Sequence, residues 1–126
     1  MPFATVQDAA RRFSEAALAK AADPSPPRAG DANHRAMSEA WLALEAQGEP
    51  GASAARELLT LGARPVRCWV AAQLLALGDA TMAPLLEAEA AAGGALPFSV
   101  AMVLAQWKKG RLRPPFRASA SPTDGA

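Results

Sequence analysis

The sequence predicts an all-α fold, and three of its features carry that prediction. About a quarter of the 126 residues are alanine, the strongest helix former. Tyrosine is absent and β-branched residues are few, which leaves little material for strands. Apolar residues recur at steps of three and four between short Gly and Pro punctuation, which is the period of helices.

Each helix has its own start, stripe and stop. Thr5 followed by Asp8 reads as a variant capping box, and Val6, Ala10, Phe13 and Ala17 form a thin apolar stripe over about 5–22. DPSPPRAG at 23–30 breaks the chain, because Pro24, Pro26 and Pro27 restrict themselves and the residues before them. Asp31 is placed to cap a second helix in which Ala36, Met37, Ala40, Trp41 and Leu44 share a face, ending at Gly48. EPGAS reads as a turn, followed by a short helix over 53–61 with Ala55, Leu58 and Leu59 inward and Gly62 as its stop.

The fourth helix, 65–77, is the most clearly marked. Pro65 suits a first turn, where a missing N–H costs nothing. Val66, Val70, Leu74 and Leu77 make one face, Arg67 and Gln73 point elsewhere, and Gly78 follows as a left-handed stop. Asp79 or Thr81 caps a fifth helix with Met82, Leu85, Leu86 and Ala90 as its stripe, Pro84 in its first turn and Gly93-Gly94 at its close. A sixth helix over 97–109 opens with Pro97, carries Val100, Val103, Leu104 and Trp107, and ends at Gly110.

Short connections force successive helices to pack as antiparallel neighbours, so the expected pairs are first with second, third with fourth, and fifth with sixth. Three such hairpins stack as a short α-solenoid, with an irregular helical bundle as the alternative. Residues 1–112 then form a single domain, which at this size buries about two-thirds of the surface its unfolded chain exposes. The segment 113–126 is rich in Pro, Ser and Ala without periodicity and is expected to be a disordered tail, above all beyond Phe116.

Thirteen basic and twelve acidic residues nearly cancel, which gives no overall electrostatic case for nucleic acid or a membrane surface. The distribution is uneven: residues 1–63 carry six Lys/Arg against eight Asp/Glu, and residues 64–126 carry seven against four. Lys108, Lys109, Arg111, Arg113 and Arg117 supply most of the C-terminal excess. Such residues solvate a helix end and suit its negative pole, or alternatively meet an acidic partner. No stretch approaches the roughly 20 apolar residues of a membrane span, and the N-terminus lacks a basic region followed by an apolar one. A cytoplasmic location is the expectation.

One cysteine and one histidine exclude a disulfide framework, a His-based triad, and a multi-Cys or multi-His metal site. No catalytic group, metal or cofactor is therefore expected. His34, near the start of the second helix, reads as a surface residue, and Cys68 as a small buried hydrophobe. Glu87 with Glu89 diverge at a spacing of two, and Asp31 with Glu39 lie about 12 Å apart along a helix. No phosphate-loop or dinucleotide motif occurs.

Trp41 and Trp107 fall on apolar stripes and read as core. Trp69 is displaced from its helix's stripe by about 100°. It covers a seam between repeats or projects onto a binding face. Aromatic and arginine side chains dominate interface hot spots, so Arg67 with Trp69 makes a candidate contact pair if exposed. Arg64, Arg67, Trp69, Lys108, Lys109 and Arg111 are the candidate partner-binding residues.

Val66-Arg67 with Trp69 and Ala71-Ala72, Leu85-Leu86-Glu87, and Ala101-Met102 with Trp107 and Gly110 together resemble a family of small bacterial HEAT-like proteins described only as a domain of unknown function. The resemblance covers about residues 30–112 and includes Gly30-Asp31 with Asn33. Ala63 and Arg64 stand at the turn where such repeats usually carry an acidic residue. The resemblance implies an α-solenoid and no established reaction. Related small solenoid proteins of bacteria serve as adaptors or as immunity proteins that sequester toxins. It therefore implies a protein partner, such as a toxin or effector, held without catalysis. A nucleic-acid-associated protein using the basic C-terminal end is the alternative.

Overall fold

Six helices make up the fold in the computed structural model, which describes residues 5–22 and 32–116. They are α1 (Val6–Ala22), α2 (Ala32–Ala46), α3 (Glu49–Leu61), α4 (Arg64–Ala76), α5 (Met82–Ala91) and α6 (Val100–Lys108). Among the described residues there is no strand, so the all-α expectation holds. The expected Asp31 cap, the 23–30 break and the 117–126 tail lie outside the described residues.

The helix starts are set by local chemistry. Thr5 Oγ1 accepts the Asp8 N–H at 3.0 Å, as the capping box requires. Ser99 Oγ does the same for the Met102 N–H at 3.1 Å, so α6 begins at Val100 and Pro97 stands outside it. Asp79, rather than Thr81, serves the start of α5: its Oδ1 accepts both the N–H and the hydroxyl of Thr81. The expected EPGAS turn is helix instead, because Pro50 sits in the first turn of α3, where its missing N–H costs nothing. Gly51 permits the resulting contact. A Cβ built there would lie 1.7 Å from the Leu44 carbonyl oxygen, so α3 crosses α2 at a distance only glycine allows.

The three expected pairs, α1 with α2, α3 with α4 and α5 with α6, are all in contact, as is α4 with α5. Contacts of α1 with α3 and of α4 with α6 stack like helices of successive hairpins, whereas α1 also lies diagonally on α4. The first four helices thus share one core of Phe13, Met37, Trp41, Leu44, Val66, Trp69 and Val70. A second core joins α4, α5 and α6 through Ala71, Leu75, Ala83, Leu86 and Val100.

Helix α4 supplies both cores, and that corrects the single stripe assigned to it. Val66 and Val70 are buried as expected, but Cys68, Trp69, Ala71, Ala72, Gln73 and Leu75 are buried too. Leu74 is only partly covered and Leu77 is 54% exposed. A helix with neighbours around most of its circumference has no single apolar face to read. Leu104 likewise is only partly buried, in the second core.

Beyond α6 the chain turns back. Gly110 adopts φ 72°, and the bonds from Gly110 N to Trp107 O and from Arg111 N to Gln106 O close a Schellman motif. The reversal brings Phe116 into the first core with 1% exposure, so residues 113–116 belong to the domain and not to the expected tail.

Candidate functional site

Arg64 and Arg67 stand in the first turn of α4, and Glu89 in the last turn of α5. Each charge opposes the pole of its own helix dipole, and antiparallel packing offsets this by bringing the three together. Arg64 Nε donates to Glu89 Oε1 at 2.9 Å, and Arg67 Nε and Nη2 donate to Oε2 at 3.1 and 2.9 Å. Further donors reach carbonyls: Arg64 those of Glu89 and Ala95, Arg67 that of Gly62. Burial alone would raise the Glu89 carboxyl, but hydrogen bonds and charge from Arg67 and Arg64 outweigh it and hold the group below the ordinary carboxylate range. The sequence places both arginines on a binding surface; the structure spends their donors on a clamp between α4 and α5.

Trp69, the proposed partner of Arg67 in a contact pair, is 8% exposed and lies in the first core. The exposed-pair reading is therefore corrected: the 100° offset turns Trp69 toward α2 and the returning C-terminal segment. His34 is corrected with it, for it is no free surface residue. Its ring packs 5.7 Å from Trp69 and 5.5 Å from Phe116, and its Nε2 lies 2.9 Å from the Pro115 carbonyl oxygen. Gln73, read as pointing away from the core, is 1% exposed. Its Nε2 donates to Phe116 O at 3.1 Å, and its Oε1 accepts from Phe116 N at 2.9 Å.

Lys108, Lys109 and Arg111 are exposed where α6 ends, with Arg113 beside them. Arg117 lies outside the described residues. Cys68 is buried, and burial followed by the Glu89 charge pushes its thiol up, which keeps it protonated and poorly nucleophilic. Among the described residues no three His, Cys, Asp or Glu side chains gather where they could hold a metal ion. No helix of the described residues is long and apolar enough to cross a membrane.

The surface that sequence reasoning missed is a groove of about 430 Å³ between the α2–α3 and α4–α5 turns. Leu44, Ala55, Leu59 and Leu74 form its apolar wall, with Leu77 and Met82 at one side. Glu45 and Asp79 stand at its polar rim with one cation, Arg56, whose Nη2 is bound to Glu49 Oε2 at 2.9 Å. Trp41 Nε1 donates to Glu45 Oε2 at 2.9 Å and fixes that carboxylate at the edge. Pockets of this size with apolar walls and few polar groups are the usual form of a binding site. Its lining comes from four helices and two turns, so no local motif announces it; the only sequence signal is Leu77, an apolar residue placed just before a helix stop.

The fold and these sites have no counterpart to borrow a role from: no family model, no curated protein and no solved structure matches the chain.

Proposed function

We propose that this protein is a non-enzymatic protein-binding module, a short HEAT-like helical domain that holds a partner in the groove between its α2–α3 and α4–α5 turns. The observation that supports this reading is Leu77. Leu77, 54% exposed, continues the apolar lining of the groove to the outside and gives a partner an apolar surface to cover. The occupant is an amphipathic helix, with apolar residues entering between Leu59, Leu74 and Met82. Its basic residues face Glu45 and Asp79, because the groove's one cation is already paired. In its sharpest form the module is an immunity-like protein that sequesters a bacterial toxin or effector presenting such a helix.

A synthetic helix with leucines on one face and lysines on the other tests the chemistry directly. It binds the protein saturably, Leu77→Asp abolishes binding without loss of fold, and a counterpart with glutamates in place of lysines binds at least tenfold more weakly. Equal binding of both helices, or retention of binding by a folded Leu77→Asp variant, removes the groove as the docking site. A second reading, association with nucleic acid, is favoured by the exposure of Lys108, Lys109 and Arg111 together at one end.

A further inference from the structure

The residues around Phe116 are arranged as a receptor is arranged around a peptide. The segment from Leu112 to Phe116 has no regular secondary structure, and among the described residues its main chain is held by side chains rather than by a helix or sheet. Gln73 reads both the N–H and the C=O of Phe116, at a bend of the chain, a two-point contact to the main chain that does not depend on the side chain there. The Phe116 ring sits between Phe13, His34, Trp41 and Trp69, at centroid distances of 5.2, 5.5, 6.2 and 5.6 Å. Pro114 and Pro115 stiffen the approach, so little conformational entropy is lost when the segment docks. The cage itself is built from α1, α2 and α4, far from the occupant in sequence. Among the described residues the Trp69 Nε1–H of the cage is buried without an acceptor.

We propose that this cage is a peptide-recognition site for a Pro-Pro-aromatic segment, filled in cis by the chain's own Pro114-Pro115-Phe116 and open to the same chemistry supplied by another chain. The site is separate from the α2–α5 groove and does not depend on the reading given to it. Binding in trans requires the cis segment to leave, so the tether suppresses it. An attached ligand competes at an effective concentration of the order of millimolar.

The test uses the full chain and the synthetic peptide Leu-Arg-Pro-Pro-Phe-Arg-Ala, followed by calorimetry and by the fluorescence of Trp41 and Trp69. Phe116→Ala empties the ring position, and Phe116→Pro also removes the N–H that Gln73 reads. Both variants are expected to bind the peptide saturably, with the wild-type chain at least about 100-fold weaker because its own segment competes. A peptide with Ala for Phe does not bind. Methylating the Phe nitrogen of the peptide weakens binding at least tenfold, and that penalty vanishes when Gln73→Ala is added to the protein. Folded variants that ignore the peptide overturn the proposal, as does equal binding by wild type and variants, or an N-methyl penalty that survives Gln73→Ala. Failure of both variants to fold also overturns it, since the segment would then be an inseparable part of the core.

Discussion

The side-chain amide of Gln73 pairs with the main chain of Phe116 on both sides, donating to its carbonyl at 3.1 Å and accepting its N–H at 2.9 Å, with both residues almost wholly buried. A helix in the middle of the fold thereby holds a segment 43 residues further along the chain. Gln73→Ala leaves both Phe116 groups without partners, at about 1–3 kcal/mol each when they stay buried. Release of the segment into water limits the loss to the segment's own docking energy. The expected outcome is a fall in stability of about 2 kcal/mol or more, read as a lower urea midpoint. An unchanged midpoint would mean that the returning segment contributes nothing to the native state.

The clamp of Arg64 and Arg67 on Glu89 gives the fold an acid-sensitive contact. Because the folded-state carboxyl titrates below its ordinary value, the contribution is complete above that value, about 4.3, and is lost as pH falls through the lowered folded one. Glu89→Gln removes the charge-assisted bonds, worth about 1.5–3 kcal/mol, while keeping the shape. Urea midpoints for wild type and variant are expected to differ most at neutral pH and to converge as pH falls through the lowered folded value. A constant gap across that range would show that the carboxylate's charge plays no part.

Two neighbouring leucines on α4 separate the observed packing from the sequence stripe. Leu75 is 1% exposed in the second core, whereas Leu74 is partly covered and lines the groove. Leu75→Ala is expected to cost about 2–5 kcal/mol, the range for emptying a packed leucine site. Leu74→Ala is expected to cost well under half of that, since part of its side chain already faces solvent. The reverse order in denaturant titration would restore the Val66–Val70–Leu74 face as the buried one.

That pair shows where the sequence was legible and where it was not. In α2, which buries one face, the residues Ala36, Met37, Ala40, Trp41 and Leu44 picked out by periodicity are all buried. The Thr5 cap and the Gly78 and Gly110 stops were readable because their chemistry is local. In α4 the same periodicity misleads, since a helix shared by two cores is buried on several sides. Gln73 and Trp69 could not be placed, because the group that decides their environment is Phe116, which nothing local ties to α4. The groove is harder still to foresee, for its lining comes from four helices and from the α2–α3 and α4–α5 turns, which meet only in the folded chain.

Gly51 offers a case where local propensity and packing give opposite signs. In an exposed helix interior Gly→Ala gains about 1 kcal/mol. Here the new methyl would fall 1.7 Å from the Leu44 carbonyl oxygen, a backbone atom that cannot swing aside, so α3 must shift away from α2. Overpacking of this kind costs about 1–3 kcal/mol and occasionally more, which outweighs the gain in propensity. Gly51→Ala is therefore expected to lower the thermal midpoint. It also weakens binding of the leucine-lysine helix, because Gly51 lines the groove that the shift would deform. A higher midpoint would show that the α2–α3 crossing is looser than its geometry.

The basic end decides between the protein-binding reading and its nucleic-acid rival. Lys108 and Lys109 lie at the C-terminus of α6, where a cation gains about 0.3–1 kcal/mol from the helix dipole, a sufficient structural reason for both. If Lys108, Lys109, Arg111 and Arg113 instead neutralised one phosphate each, log affinity for duplex DNA would fall with log salt at a slope of about −3.6. That slope is about a 100-fold loss between 50 and 200 mM salt, well within the range of a gel-shift titration. The expected outcome is no such binding to DNA or RNA. Replacing the four residues with serine should lower the thermal midpoint slightly and leave binding of the leucine-lysine helix at the groove unchanged. A steep salt slope that disappears in the serine variant would instead make the α6 end, and not Leu77, the working surface of the molecule.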